Sequence, residues 1–146
     1  MDKLKIENYA KTSPGIPFPA FESLSEELAT RLRDQITEKF RLRAGGDPLA
    51  MVRELESRGL ACHGVNARDK EFKISKTLVA AGIAPSDHVY VNWYRLDDID
   101  RLSLHDLDER LEDIWYPDSE DLDVFDDSLT WMLSIAHHGG VKLIRP

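Results

Sequence analysis

The stretch Leu129-Thr130-Trp131-Met132-Leu133-Ser134-Ile135-Ala136-His137-His138-Gly139-Gly140-Val141-Lys142-Leu143-Ile144 decides the fold. Leu129, Trp131, Leu133 and Ile135 alternate with Thr130, Met132, Ser134 and Ala136, the two-residue period of a strand. Residues 137–140 form a turn and residues 141–144 return, so the segment reads as a β-hairpin. Residues 122–125 make a short third strand beside it. Further upstream, Val89, Val91 and Trp93 alternate with Tyr90, Asn92 and Tyr94. With substantial side chains on both faces, that strand reads as internal. Between these strands Ser103 and Asp106 have capping-box spacing, Leu104, Leu107, Leu111 and Ile114 line one helical face, and Pro117 follows the end.

The first half is helical. Ser23 and Glu26 have capping-box spacing ahead of a stripe of Leu24, Leu28, Leu32, Ile36 and Phe40. Gly45-Gly46 breaks the chain as a helix-hairpin connector. Asp47 is an N-cap, Pro48 fits the first helical position, and Leu49, Val52 and Leu55 mark a second buried face. Gly59 is expected to close that helix, with Leu60 folded back on Leu55. Residues 60–68 read as irregular. Residues 69–81 read as a third helix with Phe72, Leu78 and Val79 inward, ended by Gly82 and Pro85, with strand as the alternative over residues 72–75. The prolines at 14, 17 and 19 make residues 1–21 a peripheral, partly ordered lead-in, leaving 22–146 as one domain. The expected class is α+β: an N-terminal helical hairpin packed with a small, mainly antiparallel sheet that ends in a C-terminal β-hairpin.

Composition excludes several function classes. The chain of 146 residues is 42% apolar, enough for a core, and carries a net charge of −8. Phosphate affinity comes from clustered Lys and Arg, so neither nucleic acid nor an anionic membrane is an expected partner. Residues 78–84 are the longest apolar run, against roughly 20 residues for a span. Charges interrupt every apolar residue at the start, so no signal-peptide core is read there, and a cytoplasmic location is expected. Cys62 is the only cysteine, so no disulfide framework exists within the chain.

The charge is concentrated. Residues 97–127 contain 14 acidic and two basic residues, a net −12, against +4 over the other 115 residues. Two readings stay open: a solvated helix face with acidic turns such as 97–100, or a docking surface for a basic protein. On the second reading Asp118, Glu120, Asp121 and Asp123 form the surface, because a turn before the C-terminal sheet can project several carboxylates together. Trp115 and Tyr116 lie inside the block as aromatic anchors or as core.

Chemistry-bearing motifs are sparse. His63, His88, His105, His137 and His138 include no His-Glu-x-x-His spacing, and residues 118–123 lack the glycine of a calcium loop. Cys62-His63 are sequence neighbours whose side chains diverge. No catalytic set, metal site or cofactor is therefore expected. One enzymatic alternative remains: a small hydrolase or phosphoesterase using His137 or His138 with Asp126 or Asp127 as general base or metal ligand. A regulatory or scaffold domain is a third.

Residues 88–144 also resemble a pattern found in small bacterial proteins, some of them immunity-type. Its elements are Val89-Tyr90-Val91-Asn92-Trp93-Tyr94, Asp113-Ile114-Trp115-Tyr116-Pro117, Phe125-Asp126-Asp127-Ser128, 131–135 and His138-Gly139. The resemblance implies a protein that binds and blocks a toxin, without fixing the fold or the contact residues.

Overall fold

In the computed structural model, which describes residues 1–43 and 47–146, five helices and seven strands form one antiparallel sheet with helices on both faces. The Gly45-Gly46 connector lies outside the described residues. The elements in chain order are α1 (Lys3–Thr12), β1 (Phe21–Ser23), α2 (Glu26–Lys39), α3 (Pro48–Arg58), β2 (Leu60–Asn66), α4 (Ile74–Ala80), β3 (His88–Tyr94), β4 (Asp98–Ser103), α5 (Leu104–Ile114), β5 (Leu122–Phe125), β6 (Met132–Ile135) and β7 (Gly140–Ile144). The strand order is β1-β4-β3-β5-β6-β7-β2, and every pairing is antiparallel. The class is α+β, with the C-terminal hairpin of β6 and β7 in place. No helix among the described residues is long and apolar enough to cross a membrane.

Strand alternation explains the two cores. Leu122 and Val124 of β5 join Val89, Val91, Leu133 and Ile135 under α4 and α5, a cluster completed by Trp131. Phe125, Met132 and Ile144 point the other way, against Ala29, Leu32, Ile36 and Phe40 of the α2 region and Met51 and Leu55 of α3. Every residue of β5 and β6 is therefore buried, and in β6 Leu133 and Ile135 fill one core while Met132 fills the other. Gly139 sits in the β6–β7 turn at φ +90°, where a Cβ would lie 2.0 Å from the Asn66 side-chain oxygen. Only glycine fits.

The helix capped by Ser103 has the expected face: Leu104, Leu107, Leu111 and Ile114 are all buried. Asp47 caps α3 as read. Gly82 adopts φ +75°, and the Ile83 amide donates to the Leu78 carbonyl.

Several expectations are corrected. The cap of α2 is Ser25, while Ser23 belongs to β1 and its hydroxyl donates to Asp100. Leu28 is 45% exposed, because strict four-residue steps drift off a 3.6-residue period; the buried stripe is Ala29, Leu32, Ile36 and Phe40. Gly59 is extended rather than left-handed and leads directly into β2, leaving Leu60 exposed. The stretch read as irregular is that strand, paired to β7 only near its ends, with a bulge between Ala61 and Asn66 that broke any periodic signal. The third helix is shorter than expected: it starts at Ile74, which is buried, while Val79 is exposed. The acids at 97–100 do not all lie in a turn. Arg95 and Leu96 turn the chain at positive φ, and β4 begins at Asp98.

Residues 3–12 form a helix that the proline-based reading did not anticipate. Tyr9 packs edge-on against Phe18 with ring centroids 5.2 Å apart. Lys5 is buried against the end of α5: its Nζ donates to the Ile114 carbonyl (2.8 Å) and to Glu120 Oε2 (2.7 Å), and it lies 3.6 Å from the Trp93 ring centroid. Burial lowers the Lys5 pKa, opposed by the bond to Glu120.

Candidate functional site: a polar row beside α3

The alternation that sends Phe125 into the α2/α3 core sends Asp123 to the same face, two residues earlier. Register then aligns Asn92 of β3, Asp123 of β5, Ser134 of β6 and Lys142 of β7 as neighbours on four consecutive strands. The next row, Tyr90, Phe125, Met132 and Ile144, is apolar and covered by α2 and α3. A polar row therefore crosses the middle of the sheet at the margin of its helical cover.

Asp123 is 6% exposed. Its Oδ2 accepts from Asn92 Nδ2 at 2.9 Å, and the Ser134 side chain bonds it as well. Asn92 is committed at its other end too, where its Oδ1 accepts from the Leu96 amide at 2.8 Å and ties the left-handed turn to the row. Burial pushes the Asp123 carboxyl up to about 6. The Asn92 and Ser134 hydrogen bonds oppose this, and the negative charges of Glu56 and Asp121 add to it.

Two clefts meet over the row. One, of about 440 Å³, is bounded by Val52 and Arg53 of α3, by Arg95, and by Glu120 and Asp123. The other, of about 550 Å³, lies between the β2 bulge and the β6–β7 turn and is lined by Cys62, His63, Ser134, His137, His138 and Lys142. Glu56 and Asp121 line both.

The six residues expected to bind a partner are distributed unevenly. Asp118 and Asp121 are exposed. Asp118 pairs with Arg68 at 2.8 Å, and Asp121 Oδ1 accepts from the His137 amide (2.6 Å) and from its Nδ1 (2.8 Å). Glu120 is half-buried and holds both Lys5 and the Tyr116 amide. Asp123 and Trp115 are buried; Trp115 Nε1 donates to the Glu120 carbonyl at 2.7 Å. Tyr116 is half-buried beside Lys5, 5.2 Å from its Nζ. The four carboxylates thus do not project together, because β5 starts early enough to turn Asp123 inward.

The structure also separates the groups of the hydrolase reading. His137 and His138 stack edge-to-face at the β6–β7 turn, whereas Asp126 and Asp127 follow the other end of β5. Asp126 accepts from the Ser86 and Ser128 amides and hydroxyls. Burial pushes its pKa up, but these bonds outweigh burial and hold it below the ordinary value. Asp127 accepts from Tyr90 Oη at 2.7 Å. The acid that meets His137 is Asp121. Burial raises the Cys62 thiol, which disfavours the nucleophilic thiolate. Among the described residues, no group of three or more His, Cys, Asp or Glu is arranged to hold a metal.

Glu56, Asn92, Ser134 and Lys5 were not singled out from the sequence. Asn92 and Ser134 carried a usable signal, each being a polar residue inside an apolar strand, which requires a buried partner. Glu56 and Lys5 had none, since each reads as an ordinary charged helix position. Comparison with protein-family models, with curated proteins and with solved structures finds no match to this chain.

Proposed function

We propose that the protein is a non-enzymatic binding domain for a basic protein partner, of the immunity or antitoxin type. The observation that carries this reading is the acidic rim where β5 begins. Exposed Asp118 and Asp121 and half-buried Glu120 and Glu56 gather there with Tyr116, beside two clefts wide enough for a lysine or arginine side chain. Exposed carboxylates steer a basic partner and set its orientation, while a half-buried aromatic ring supplies contact area. The contact set is Asp118, Glu120, Asp121 and Tyr116. Asp123 and Trp115 hold the rim from beneath.

The test uses a basic protein encoded beside this chain as the probe, with association kinetics measured at two salt concentrations. Charges on the rim are screened over a Debye length of about 8 Å at physiological ionic strength. Replacing Asp118 and Asp121 with Asn slows association and flattens its salt dependence, with dissociation less affected. A double variant that associates at the wild-type rate with the wild-type salt slope refutes the reading.

A further inference from the structure

The two edges of the sheet differ. β1 is three residues long, whereas β2 runs for seven, Leu60–Asn66. β2 lies outermost beside β7, so its far side offers backbone N–H and C=O groups to another strand. Its sequence, Leu-Ala-Cys-His-Gly-Val-Asn, holds none of the charges or prolines that block such an edge. The bulge between Ala61 and Asn66 is the protection it does have, and it confines an added strand to a short ladder. Side chains then have to supply much of the hold.

β2 has a depression on each face. On the α3 side is the cleft of about 550 Å³, which the bulge residues 62–65 share with Glu56 and Asp121. These two carboxylates stand against one ammonium, Lys142. The half-buried Glu56 carboxylate has no hydrogen-bond or ion-pair partner among the described residues, since Lys142 Nζ donates to the Glu56 backbone carbonyl at 3.3 Å. Asp121 uses one oxygen, Oδ1, on His137. On the α4 side is a groove of about 210 Å³ where Gly64, Val65 and Asn66 meet Phe72 and Thr77. Lys73 and Lys76 balance Asp69 and Glu71 in charge there, so that groove has no net sign. Val65 and Phe72 are half-buried against the α4/α5 core, and Leu60, opposite Leu143 on the same side, is 77% exposed.

A strand added to β2 sends alternate side chains to the two faces. One set enters the cleft with Glu56 and Asp121, and the other covers Leu60, Val65 and Phe72. We infer that the β2 edge receives an extended segment of the basic partner, in which Lys or Arg alternates with apolar residues. The inference rests on the reading of a basic partner and adds how that partner is held. A second copy of this chain fits less well, because β2 itself has no cation to enter the cleft. Edge and rim are contiguous: Arg68, two residues past β2, pairs with Asp118 at 2.8 Å.

The probe is the peptide acetyl-Thr-Lys-Val-Lys-Thr-amide, titrated into the isotope-labelled full chain and followed by NMR chemical shifts and amide exchange. Slowed exchange in residues 60–66 is expected, with shifts around Glu56. Replacing both lysines of the peptide with Glu weakens binding by about tenfold. Of two peptides N-methylated at even or at odd positions, one loses binding, because alternate amides of an edge-bound strand face the ladder. Shifts confined to residues 118–121, without protection in β2, overturn this inference and leave the rim reading intact. It is also overturned if the parent peptide does not bind, or if both N-methylated peptides bind like the parent. Binding on β2 that is equal for the Lys and Glu peptides overturns the basic partner, here and in the reading above.

Discussion

Replacing Asp123 with Asn should stabilise the protein at neutral pH, against the usual expectation for a buried residue in a central strand. The carboxyl is at about 6 in the folded state and at 3.8 in an exposed one. Between those values the folded protein binds more protons than the unfolded chain, so stability falls as pH rises from about 4 to about 6. Above 6 both states are ionised and the folded state bears the whole cost, which at 1.36 kcal/mol per pKa unit is about 3 kcal/mol. Asn has nearly the same shape. Its carbonyl oxygen can accept from Asn92 Nδ2 as the carboxylate does, and its amide can donate to Ser134, whose hydroxyl accepts as readily as it donates. The variant should therefore gain about 2–3 kcal/mol at pH 8 and almost nothing at pH 4, where wild-type Asp123 is already protonated. Urea melts of both proteins at pH 4, 6 and 8 measure this, and subtracting one from the other removes the opposing contribution of Asp126. A variant less stable than wild type at pH 8, or a difference independent of pH, would mean that the carboxylate is well satisfied as an anion, and the argument would fail.

Two further substitutions test the cores. Trp131 is 1% exposed, so Trp131→Ala should cost about 3–5 kcal/mol in a urea melt; an unchanged midpoint would place its ring outside the α4/α5 core. Lys5→Met keeps the aliphatic stem but leaves Glu120 and the Ile114 carbonyl without their donor, and should cost about 2 kcal/mol, held below the fully buried figure because Glu120 retains some solvent. A double-mutant cycle with Glu120→Gln showing no coupling between the two residues would refute that pairing.

The elements legible in the sequence were those whose signal is local. Ser103 followed by a 3–4–3 apolar spacing specifies α5 without help from the rest of the chain, and Gly82 with Pro85 fixes where α4 must stop. β3, β5 and the β6–β7 hairpin were legible because period two survives burial on both faces. The rest depends on distant partners. β4 reads as an acidic turn because Asp98 and Asp100 lie in it, yet Asp100 is fully buried, accepting from Ser23 Oγ and from Trp93 Nε1 at 2.7 Å. No window around residue 100 contains that information. β2 has the same difficulty at the other edge, where four bulged residues lie between Ala61 and Asn66. The polar row is a property of register. Asn92, Asp123, Ser134 and Lys142 are far apart in the chain and become neighbours only when four strands pair.

The same dependence on partners alters what the acidic segment means. A net −12 over 31 residues describes a surface only if those charges face water. Most are used inside the molecule. Asp97 pairs with Arg33, Asp118 with Arg68, Glu109 with Lys73 and Glu120 with Lys5, so the segment draws its counterions from the part of the chain that carries the excess of bases. Asp108 accepts from the Ile74 and Ser75 amides and caps the start of α4, while Asp126 closes the turn after β5. Clustered acids here join elements that are distant in sequence, because each carboxylate can satisfy a backbone donor or a lysine that would otherwise be buried unpaired. The field that reaches solvent is correspondingly weaker than the count implies. Asp118 and Asp121 are each more than half exposed, with partners that are themselves solvated, so they can exchange an internal contact for one across an interface at small cost. The contact proposed at the start of β5 therefore rests on how loosely those carboxylates are held, not on total charge.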